Sequence, residues 1–148
     1  MMLEVRLAKE TEYNDVSKLS LQFEQEGSCW GQVHDESDYY QNKHLYVAYC
    51  NKVMVGYAYG SYETKTRSSS FYNENDKIFY LEEIYVSKEY RSSGIGTKLY
   101  EALERDAKKE NCTAIELICA SKDKVKAINF YQNQLGLTMW SVQFIKQI

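Results

Sequence analysis

The sequence lacks proline altogether and contains only seven glycines among its 148 residues. Without proline, which interrupts helices and strands, the ends of the predicted elements depend on hydrophobic periodicity and on the few turn residues present. Long apolar runs are also missing, since none approaches the roughly 20 residues that a membrane-spanning helix requires. We therefore expect no membrane partner.

An excess of basic residues is also absent. The chain has 18 Lys and Arg against 21 Asp and Glu, a formal net charge of −3, which predicts no electrostatic attraction to nucleic acid or to an anionic membrane. With 44% apolar and 26% charged residues, the composition is that of an ordinary globular domain. The length suits one hydrophobic core, so we expect a single domain over residues 1–148.

Paired cysteines and histidine clusters are missing too. The two histidines stand at no ligand-like spacing from each other or from a cysteine, and no C-x-x-C motif occurs among Cys29, Cys50, Cys112 and Cys119. We expect no metal site. Because the N-terminus does not resemble a signal peptide, we interpret the cysteines as reduced thiols of a cytoplasmic protein.

Hydrophobic periodicity divides the chain into strands and helices. Strands are predicted at residues 2–8, 44–50, 53–63, 77–86, 114–120 and 138–147. Helices are predicted at 11–23 with Thr11 as N-cap and at 122–134 with Gly136 as C-cap. Another is predicted from the stretch that contains Gly94 and Gly96 to about residue 110. We expect a hairpin turn at Asn51-Lys52, and a loop with a short second helix at 24–42. This order predicts one mixed α/β sheet.

The stretch EYRSSGIGTKLY, residues 89–100, joins a predicted strand to a predicted helix. The first N–H groups of a helix have no partner within it, and the helix dipole adds partial positive charge there. Glycine at positions 94 and 96 would let a phosphate approach these amides closely. A dinucleotide fingerprint needs glycine where the chain has Leu99, and a Walker loop needs Gly-Lys-Ser/Thr, so neither fits. A phosphate-binding turn is predicted, with a ligand-free tight turn as the alternative.

Several segments together resemble the GNAT superfamily of N-acetyltransferases. The strand YLEEIYV precedes the Arg-x-x-Gly-x-Gly pattern, and AINFY and QLGL follow downstream, while VGYAYG resembles the family's third strand. The resemblance extends from about residue 45 to residue 137. Within the family the chain is most similar to small-amine acetyltransferases, the spermidine/spermine type and some aminoglycoside 6'-N-acetyltransferases.

The resemblance implies a fold and an acyl donor. The fold is a mixed, mostly antiparallel central sheet with helices on both faces, and the donor is acetyl-CoA. The main chain of Ile84, Tyr85 and Val86 would pair with the pantetheine arm. The diphosphate would be held by the turn residues Arg91, Ser92, Ser93, Gly94, Ile95, Gly96 and Thr97.

Two positions depart from the family pattern. Many members have an asparagine that contacts the cofactor three residues before the alanine of the last motif, where this chain has Lys124. The family commonly has three residues between the tyrosine and the glycine of that motif, whereas four residues separate Tyr131 from Gly136. The first departure bears on one cofactor contact, and the second on how the helix ends.

Acetyl transfer to an amine requires the amine to lose a proton, since alkylamines resemble lysine with a pKa of about 10.4. A carboxylate can take that proton. Glu82 and Glu83 are adjacent on a predicted strand, so we expect them to point to opposite faces. The resemblance implies Glu82 as the base, with Glu83 as the second candidate, and Tyr131 as the acid that protonates the departing thiolate.

The acidic and aromatic segment at residues 24–40 suits a cationic acceptor, with Trp30, Asp35, Glu36 and Tyr39 as candidate substrate-binding residues. We therefore expect a small polycationic amine, a polyamine or an aminoglycoside. A solvated acidic helix face is the alternative interpretation of this segment. Acetylation of a protein N-terminus or lysine, and a non-catalytic acyl-CoA-binding regulatory module, stay open, as does the choice between monomer and homodimer.

Overall fold

A five-stranded sheet organises the chain in the computed structural model, which describes residues 2–148. The strands lie in sequence order: β1 (Leu3–Leu7), β2 (His44–Cys50), β3 (Val53–Thr64), β4 (Lys77–Val86) and β5 (Ala114–Leu117). Neighbouring strands from β1 to β4 are antiparallel, and β5 runs parallel to β4. The predicted mixed, mostly antiparallel sheet is confirmed.

Helices cover both faces of this sheet, as predicted. They are α1 (Tyr13–Glu26), α2 (Ile95–Lys109) and α3 (Lys124–Ile128). Alternate residues of β2 separate the two faces, because Leu45 and Val47 share a buried cluster with α1 whereas Tyr46 and Ala48 share one with α2. The α1 side is rich in tyrosine, and the α2 side is mainly aliphatic.

The hairpin between β2 and β3 turns at Asn51-Lys52, as predicted. Both residues have positive φ, 49° and 69°. Two consecutive left-handed residues make the turn whose twist matches that of the flanking strands. This turn fixes the register in which Cys50 faces Val53.

The first helix begins later than predicted, and Thr11 is not its N-cap. A 3₁₀ turn at Glu10–Glu12 precedes α1, because the Glu12 carboxylate accepts the Lys9 N–H at 2.7 Å and thereby closes that turn. The helix continues to Glu26 and ends at Gly27, whose φ is +61°. The short helix expected within 24–42 is a single 3₁₀ turn at Ser37–Tyr40.

The strand predicted at the end of the chain is wrong, since residues 138–148 form neither strand nor helix. The alternation of apolar and polar residues is strand-like, but no neighbouring strand pairs with the segment, and a strand is stable only within a sheet. Phe144 and Ile145 are 93% and 91% exposed. None of the helices within residues 2–148 has the length and apolar character to cross a membrane.

The last helix changes its winding along its length. After α3, residues Asn129–Gln134 continue as a π-helix, and the Leu135 N–H donates to the Phe130 carbonyl five residues back at 3.0 Å. A π turn contains one more residue than an α turn. The extra residue between Tyr131 and Gly136 is accommodated in this wider turn, and Gly136 (φ +75°) then ends the helix.

Candidate active site

A β-bulge interrupts the ladder between β3 and β4 at the two adjacent glutamates. Tyr59 faces Glu83 and Gly60 faces Leu81, so Glu82 is the extra residue without a partner. At this point the strands approach closely: a Cβ on Gly60 would overlap the Tyr80 carbonyl oxygen and lie 2.7 Å from the Phe79 ring. A bulge places two consecutive residues opposite one and bends the strand.

Because of the bulge, both glutamates contact the same layer of tyrosines on the α1 side of the sheet. The Tyr39 hydroxyl donates to Glu82 at 2.8 Å, and the Tyr39 ring lies 5.9 Å from the Tyr59 ring. The Tyr59 hydroxyl in turn lies 3.3 Å from Glu83. The expectation that the two carboxylates point to opposite faces is therefore wrong, since it assumed an uninterrupted strand.

Glu82 is neutralised by a cation. Its Oε2 lies 2.7 Å from Lys43 Nζ and also accepts a hydrogen bond from Ser61 Oγ at 3.3 Å. Lys43 Nζ lies 4.7 Å from the centre of the Tyr39 ring. Glu82 is thus held in a network of an ammonium group and two hydroxyl groups.

Glu83 has no such cation. It accepts hydrogen bonds from the Tyr57 hydroxyl, from Gln32 Nε2 at 3.1 Å and, more weakly, from the Tyr59 hydroxyl. Burial raises the pKa of Glu83, and the hydrogen bonds from Tyr57 and Gln32 only partly offset that rise. A carboxylate with a raised pKa is a stronger base near neutral pH.

The four candidate substrate-binding residues divide into two pairs. Asp35 accepts a hydrogen bond from the Tyr59 hydroxyl at 2.8 Å, so that it joins Tyr39 beside the two glutamates. Trp30 is 67% exposed, with Lys122 Nζ 4.6 Å above its ring, and Glu36 is exposed beside His34. Trp30 and Glu36 therefore lie outside the tyrosine layer.

Sequence reasoning did not identify Tyr57, Tyr59, Gln32 and Lys43 as site residues. A signal for two of them was present, because tyrosines two residues apart on a strand project from the same face. An isolated glycine within a strand, such as Gly60, also indicates a bulge. Lys43 and Gln32 carry no comparable pattern in the sequence.

The edge of β4 is open next to the glutamates. Pairing with β5 extends only from Ile78 to Leu81, and β5 ends at Leu117. The segment after β5 instead meets the loop after α1, since the Trp30 N–H donates to the Ala120 carbonyl at 2.9 Å, and the strand predicted to residue 120 is therefore shorter.

The open edge exposes main-chain groups of two predicted cofactor-binding residues. The Ser87 N–H donates to the Val55 carbonyl on the β3 side. The alternation of an antiparallel ladder then turns the N–H and C=O groups of Ile84 and Val86 towards the gap and those of Tyr85 towards β3. Arg91 Nε donates to the Val86 carbonyl at 2.7 Å, which leaves the N–H groups of Ile84 and Val86 and the Ile84 carbonyl facing the gap.

The glycine turn presents unpaired amides at the start of α2. Gly94 adopts φ +82° as the N-cap, and Lys98 is the first residue whose N–H bonds back, to the Gly94 carbonyl at 3.0 Å. Within residues 2–148, no acceptor is found for the N–H groups from Ser93 to Thr97. Together with the helix dipole, these donors make a site that suits an anionic group.

The side chains of the turn contribute less to such a site than its amides. The Ser93 hydroxyl donates to the Tyr90 carbonyl at 2.5 Å. Arg91 forms an ion pair with Glu26 at 2.6 Å and lies over the Tyr85 ring, 5.5 Å from its centre. Arg91 therefore ties the turn to the end of α1, and the Glu26 carboxylate offsets its charge.

Tyr131 lies near two thiols at the junction of the last helix and the loop after α1. Burial raises the pKa of Tyr131, and the neighbouring Cys119 and Cys29 raise it further. Its hydroxyl therefore stays protonated at neutral pH. Lys124 is exposed in the first turn of α3, which is capped by the Asp123 carboxylate accepting the Lys126 N–H at 3.1 Å.

Comparison with known proteins agrees with this architecture. The family model described as Acetyltransferase (GNAT) family matches residues 11–137. Thialysine N-epsilon-acetyltransferase from Mus musculus is 40% identical over 53 residues, which cover 36% of this chain and only 31% of the mouse protein.

Two solved structures are similar over nearly the whole chain. One is an aminoglycoside acetyltransferase from an uncultured soil metagenomic sample, in complex with trehalose (TM-score 0.74, 18% identity, 99% of this chain and 96% of that chain). The other is AAC(6')-Iy in complex with the bisubstrate analogue CoA-S-monomethyl-acetylneamine (TM-score 0.74, 16% identity, 100% and 99%). At these identities the two structures support the fold, and the family model covers most of the chain: the protein belongs to the acetyltransferase (GNAT) family of enzymes.

Proposed function

We propose that the protein transfers an acetyl group from acetyl-CoA to a primary amine of a small polycationic acceptor, a polyamine or an aminoglycoside. The observation that carries this proposal is the bulge in β4. It places Glu82 and Glu83 on one face of the sheet, beside Asp35 and a layer of tyrosines and next to the open strand edge. Carboxylates mixed with aromatic rings attract ammonium groups through charge and cation–π contacts.

The donor half of the site fits acetyl-CoA. The unpaired amides from Ser93 to Thr97 suit the diphosphate, and the free N–H and C=O groups of Ile84 and Val86 suit the amides of the pantetheine arm. When bound, acetyl-CoA supplies the thioester carbonyl that an amine attacks. The remaining contributions come from main-chain and side-chain groups of this chain.

Glu83 is the group that we assign to receive the proton of the ammonium. It is partly buried and no cation contacts it, and its raised pKa favours proton uptake. Glu82 is paired with Lys43, so its charge is already balanced, and it serves to orient Tyr39 and the incoming amine. This assignment exchanges the roles that the family resemblance alone implied for the two glutamates.

Tyr131 is proposed to donate a hydrogen bond to the departing sulfur. Its hydroxyl keeps its proton at neutral pH, since burial and the neighbouring Cys119 and Cys29 raise its pKa. Thiols are weak hydrogen-bond partners, so these neighbours do not compete strongly for the phenol hydrogen. Hydrogen-bond donation from this site stabilises negative charge on sulfur without requiring complete proton transfer.

A thiol-release assay with acetyl-CoA against an amine panel tests the proposal. The panel contains spermidine, a kanamycin-type aminoglycoside, a lysine peptide and a peptide with a free N-terminus. We expect the polycationic small amines to give the highest kcat/KM. Turnover with a peptide alone would contradict the proposed acceptor class.

Matched variants test the residue roles. Glu83→Gln should lower kcat/KM by about 10²–10⁴, as expected for the loss of general-base catalysis. Glu82→Gln should act mainly on KM for the amine, and Asp38→Asn, an exposed carboxylate of the same region, should change neither constant. Wild-type turnover in Glu83→Gln would overturn the assignment of the base.

A melting experiment separates the enzyme from a non-catalytic acyl-CoA-binding module. Acetyl-CoA at about 100 times its Kd should stabilise the protein by about 2.7 kcal/mol whether or not turnover occurs. Stabilisation without thiol release for any amine would favour the regulatory module. No stabilisation at all would remove acetyl-CoA as the ligand.

A further inference from the structure

Asp35 and Glu83 form a carboxyl pair that shares one hydroxyl group. The Tyr59 hydroxyl lies 2.8 Å from Asp35 Oδ2 and 3.3 Å from Glu83 Oε2. Tyr59 is only 2% exposed, so water does not readily substitute for this hydroxyl. A hydroxyl has one hydrogen, and it can satisfy only one of the two carboxylates at a time.

The position of Asp35 is fixed by helix α1. Its N–H donates to Ser20 Oγ at 3.0 Å, and its carbonyl accepts from Ser17 Oγ at 2.8 Å. Both serines are buried. Since Ser17 gives its hydrogen to Asp35, its oxygen accepts from His34 Nε2 at 2.9 Å. Three hydrogen bonds therefore hold the loop against the helix and keep Asp35 beside Tyr59.

No cation compensates this pair. Among the ion pairs within residues 2–148, none involves Asp35 or Glu83, whereas the adjacent Glu82 is paired with Lys43. Two ionised carboxylates held close together in a partly buried site repel each other, and one proton retained between them removes most of that repulsion.

Tyr40 borders the pair on the side of the 3₁₀ turn, and its ring lies 5.3 Å from the Tyr59 ring. Burial raises the pKa of Tyr40, a contact with Ser20 opposes that rise, and the charges of Asp35 and Glu83 add to it. The Tyr40 hydroxyl therefore lies within the field of the two carboxylates.

We propose that Asp35 and Glu83 hold one proton between them through the Tyr59 hydroxyl, and that this pair receives the proton of the amine. The inference rests on the proposed function for its role in catalysis. In the step, an N–H bond of the ammonium breaks and an O–H bond forms on Glu83, while the proton already present rests on Asp35. Asp35 is thus a positioning residue that acts through Glu83, because a proton held on Asp35 leaves Glu83 ionised and able to accept the proton of the ammonium.

Several other groups surround the pair and enter its titration. Glu83 is faced by Tyr57 and Tyr59 from β3, and by neutral Gln32 and by Cys29 from the loop after α1. Asp35 is faced through Ser17 by His34, which lies 3.7 Å from Glu36. The remaining neighbours are Tyr40 and Tyr39 from the 3₁₀ turn and the balanced pair of Glu82 with Lys43. His34 is the one histidine among these neighbours.

Carboxyl-carbon NMR on the free protein tests the pair without any acetyl transfer. With ¹³C-labelled Asp and Glu side chains, we expect Asp35 and Glu83 to titrate in two shared steps rather than in one step each. In Asp35→Asn, the upper of the two steps should disappear and Glu83 should titrate in a single step at the lower pH, because the neighbouring negative charge is gone. In Tyr59→Phe, it should titrate at higher pH, because the ionised form has lost a donor.

The pH profile of kcat/KM, measured with the best amine of the panel, tests the catalytic role. The acidic limb should move to higher pH in Tyr59→Phe, because ionised Glu83 loses a donor. It should stay near its wild-type position in Asp35→Asn, because asparagine is neutral as protonated Asp35 is, and Asp38→Asn should also leave it in place. Circular dichroism identifies any variant that fails to fold, and a shift in Tyr59→Phe without one in Asp35→Asn cannot arise from general instability.

Two results would overturn the inference. One is a pair of independent single-step titrations in the wild-type protein, with Glu83 unmoved by Asp35→Asn. The other is an acidic limb that stays in place in Tyr59→Phe and disappears in His34→Gln, which would assign the limb to histidine. Because the NMR titration needs no substrate, an inactive protein with a coupled pair would reject the proposed function alone.

Discussion

Two glutamates on the α1 side of the sheet, Glu12 and Glu83, show how one residue type acquires opposite properties. Each accepts a hydrogen bond from a tyrosine hydroxyl, Tyr49 for Glu12 and Tyr57 for Glu83. Glu12 also accepts hydrogen bonds from Nη1 and Nη2 of Arg6, at 2.8 and 2.9 Å. No cation contacts Glu83 within the part of the chain that the structure describes. The Tyr59 hydroxyl instead links Glu83 to a second carboxylate, that of Asp35.

The presence or absence of a cation, and not the tyrosine, accounts for the difference in pKa between Glu12 and Glu83. The Arg6 guanidinium, opposed by burial and helped by Tyr49, lowers the pKa of Glu12 to about 2. Burial raises the pKa of Glu83. A carboxylate beside a tyrosine therefore has a lowered pKa and a structural role where arginine pairs with it. Without a cation its pKa is raised and it can act as a base. The comparison predicts that substitutions at the two sites affect stability and activity in opposite ways.

The largest effect is expected from Gly60→Ala, which removes the geometry of the Glu83 site. The new Cβ would overlap the Tyr80 carbonyl oxygen, so the strands must separate at the bulge. We expect a loss of about 3 kcal/mol or more in the free energy of unfolding, at the upper end of overpacking costs, together with loss of thiol release.

Denaturant unfolding measures this change, with Gly27→Ala as the control. A Cβ on Gly27 meets no atom within 4 Å, and only its left-handed φ disfavours alanine. That variant should lose about 1 kcal/mol. Equal losses in the free energy of unfolding at the two positions would mean that the close approach of the strands at the bulge adds nothing to the cost of Gly60→Ala.

The next effect is expected from Glu12→Gln. The pKa of Glu12 lies at about 2 in the folded protein against 4.5 for the free side chain, so its ionisation stabilises the fold above pH 4.5 and this contribution is lost as the pH falls to about 2. At about 1.4 kcal/mol per pKa unit, the variant should lose at most about 3 kcal/mol at pH 7.

Denaturant titrations at pH 7 and near pH 2.5 test this prediction, with the exposed Glu10→Gln as the control. The difference from wild type should shrink at the lower pH, and kcat of the folded variant should be unchanged. A difference independent of pH would show that Arg6 contributes through packing rather than charge.

The smallest effect on stability is expected from Glu83→Gln. Burial disfavours ionised Glu83, so the folded protein loses stability as the pH rises through the raised pKa, whereas glutamine does not ionise. The melting temperature of the variant relative to wild type should therefore increase from pH 5 to pH 8. Differential scanning calorimetry measures this difference in melting temperature, with the exposed Glu36→Gln as the control. A difference that decreases with pH would mean that a cation stabilises ionised Glu83.

The elements with strong local patterns were predictable from the sequence. Strand β4 has the predicted bounds, 77–86, because its apolar and β-branched residues favour a buried strand. The turn at Asn51-Lys52 followed from its residue types and the flanking alternation. The family and the fold were implied by the resemblance of the glycine turn, the strand before it and the AINFY segment to the GNAT superfamily.

The features that depend on contacts between distant segments were not predictable. The bulge at Glu82 arises from the close approach of β3 at Gly60, and it changed which carboxylates lie together. Residues 138–148 have a strand-like pattern, but a pattern does not supply a neighbouring strand. Lys43 and Gln32 reach the glutamates only because the chain returns to β4 from far along the sequence.

The π-helical turn at Asn129–Gln134 has a practical consequence for comparing this chain with its relatives. Each residue of an α-helix advances by about 100° around the axis. An alignment that spread the extra residue evenly over the helix would rotate every later side chain by up to that angle. In an alignment, the extra residue should therefore be placed after Tyr131. Tyr131 then stays aligned with the corresponding position of relatives that lack the extra residue.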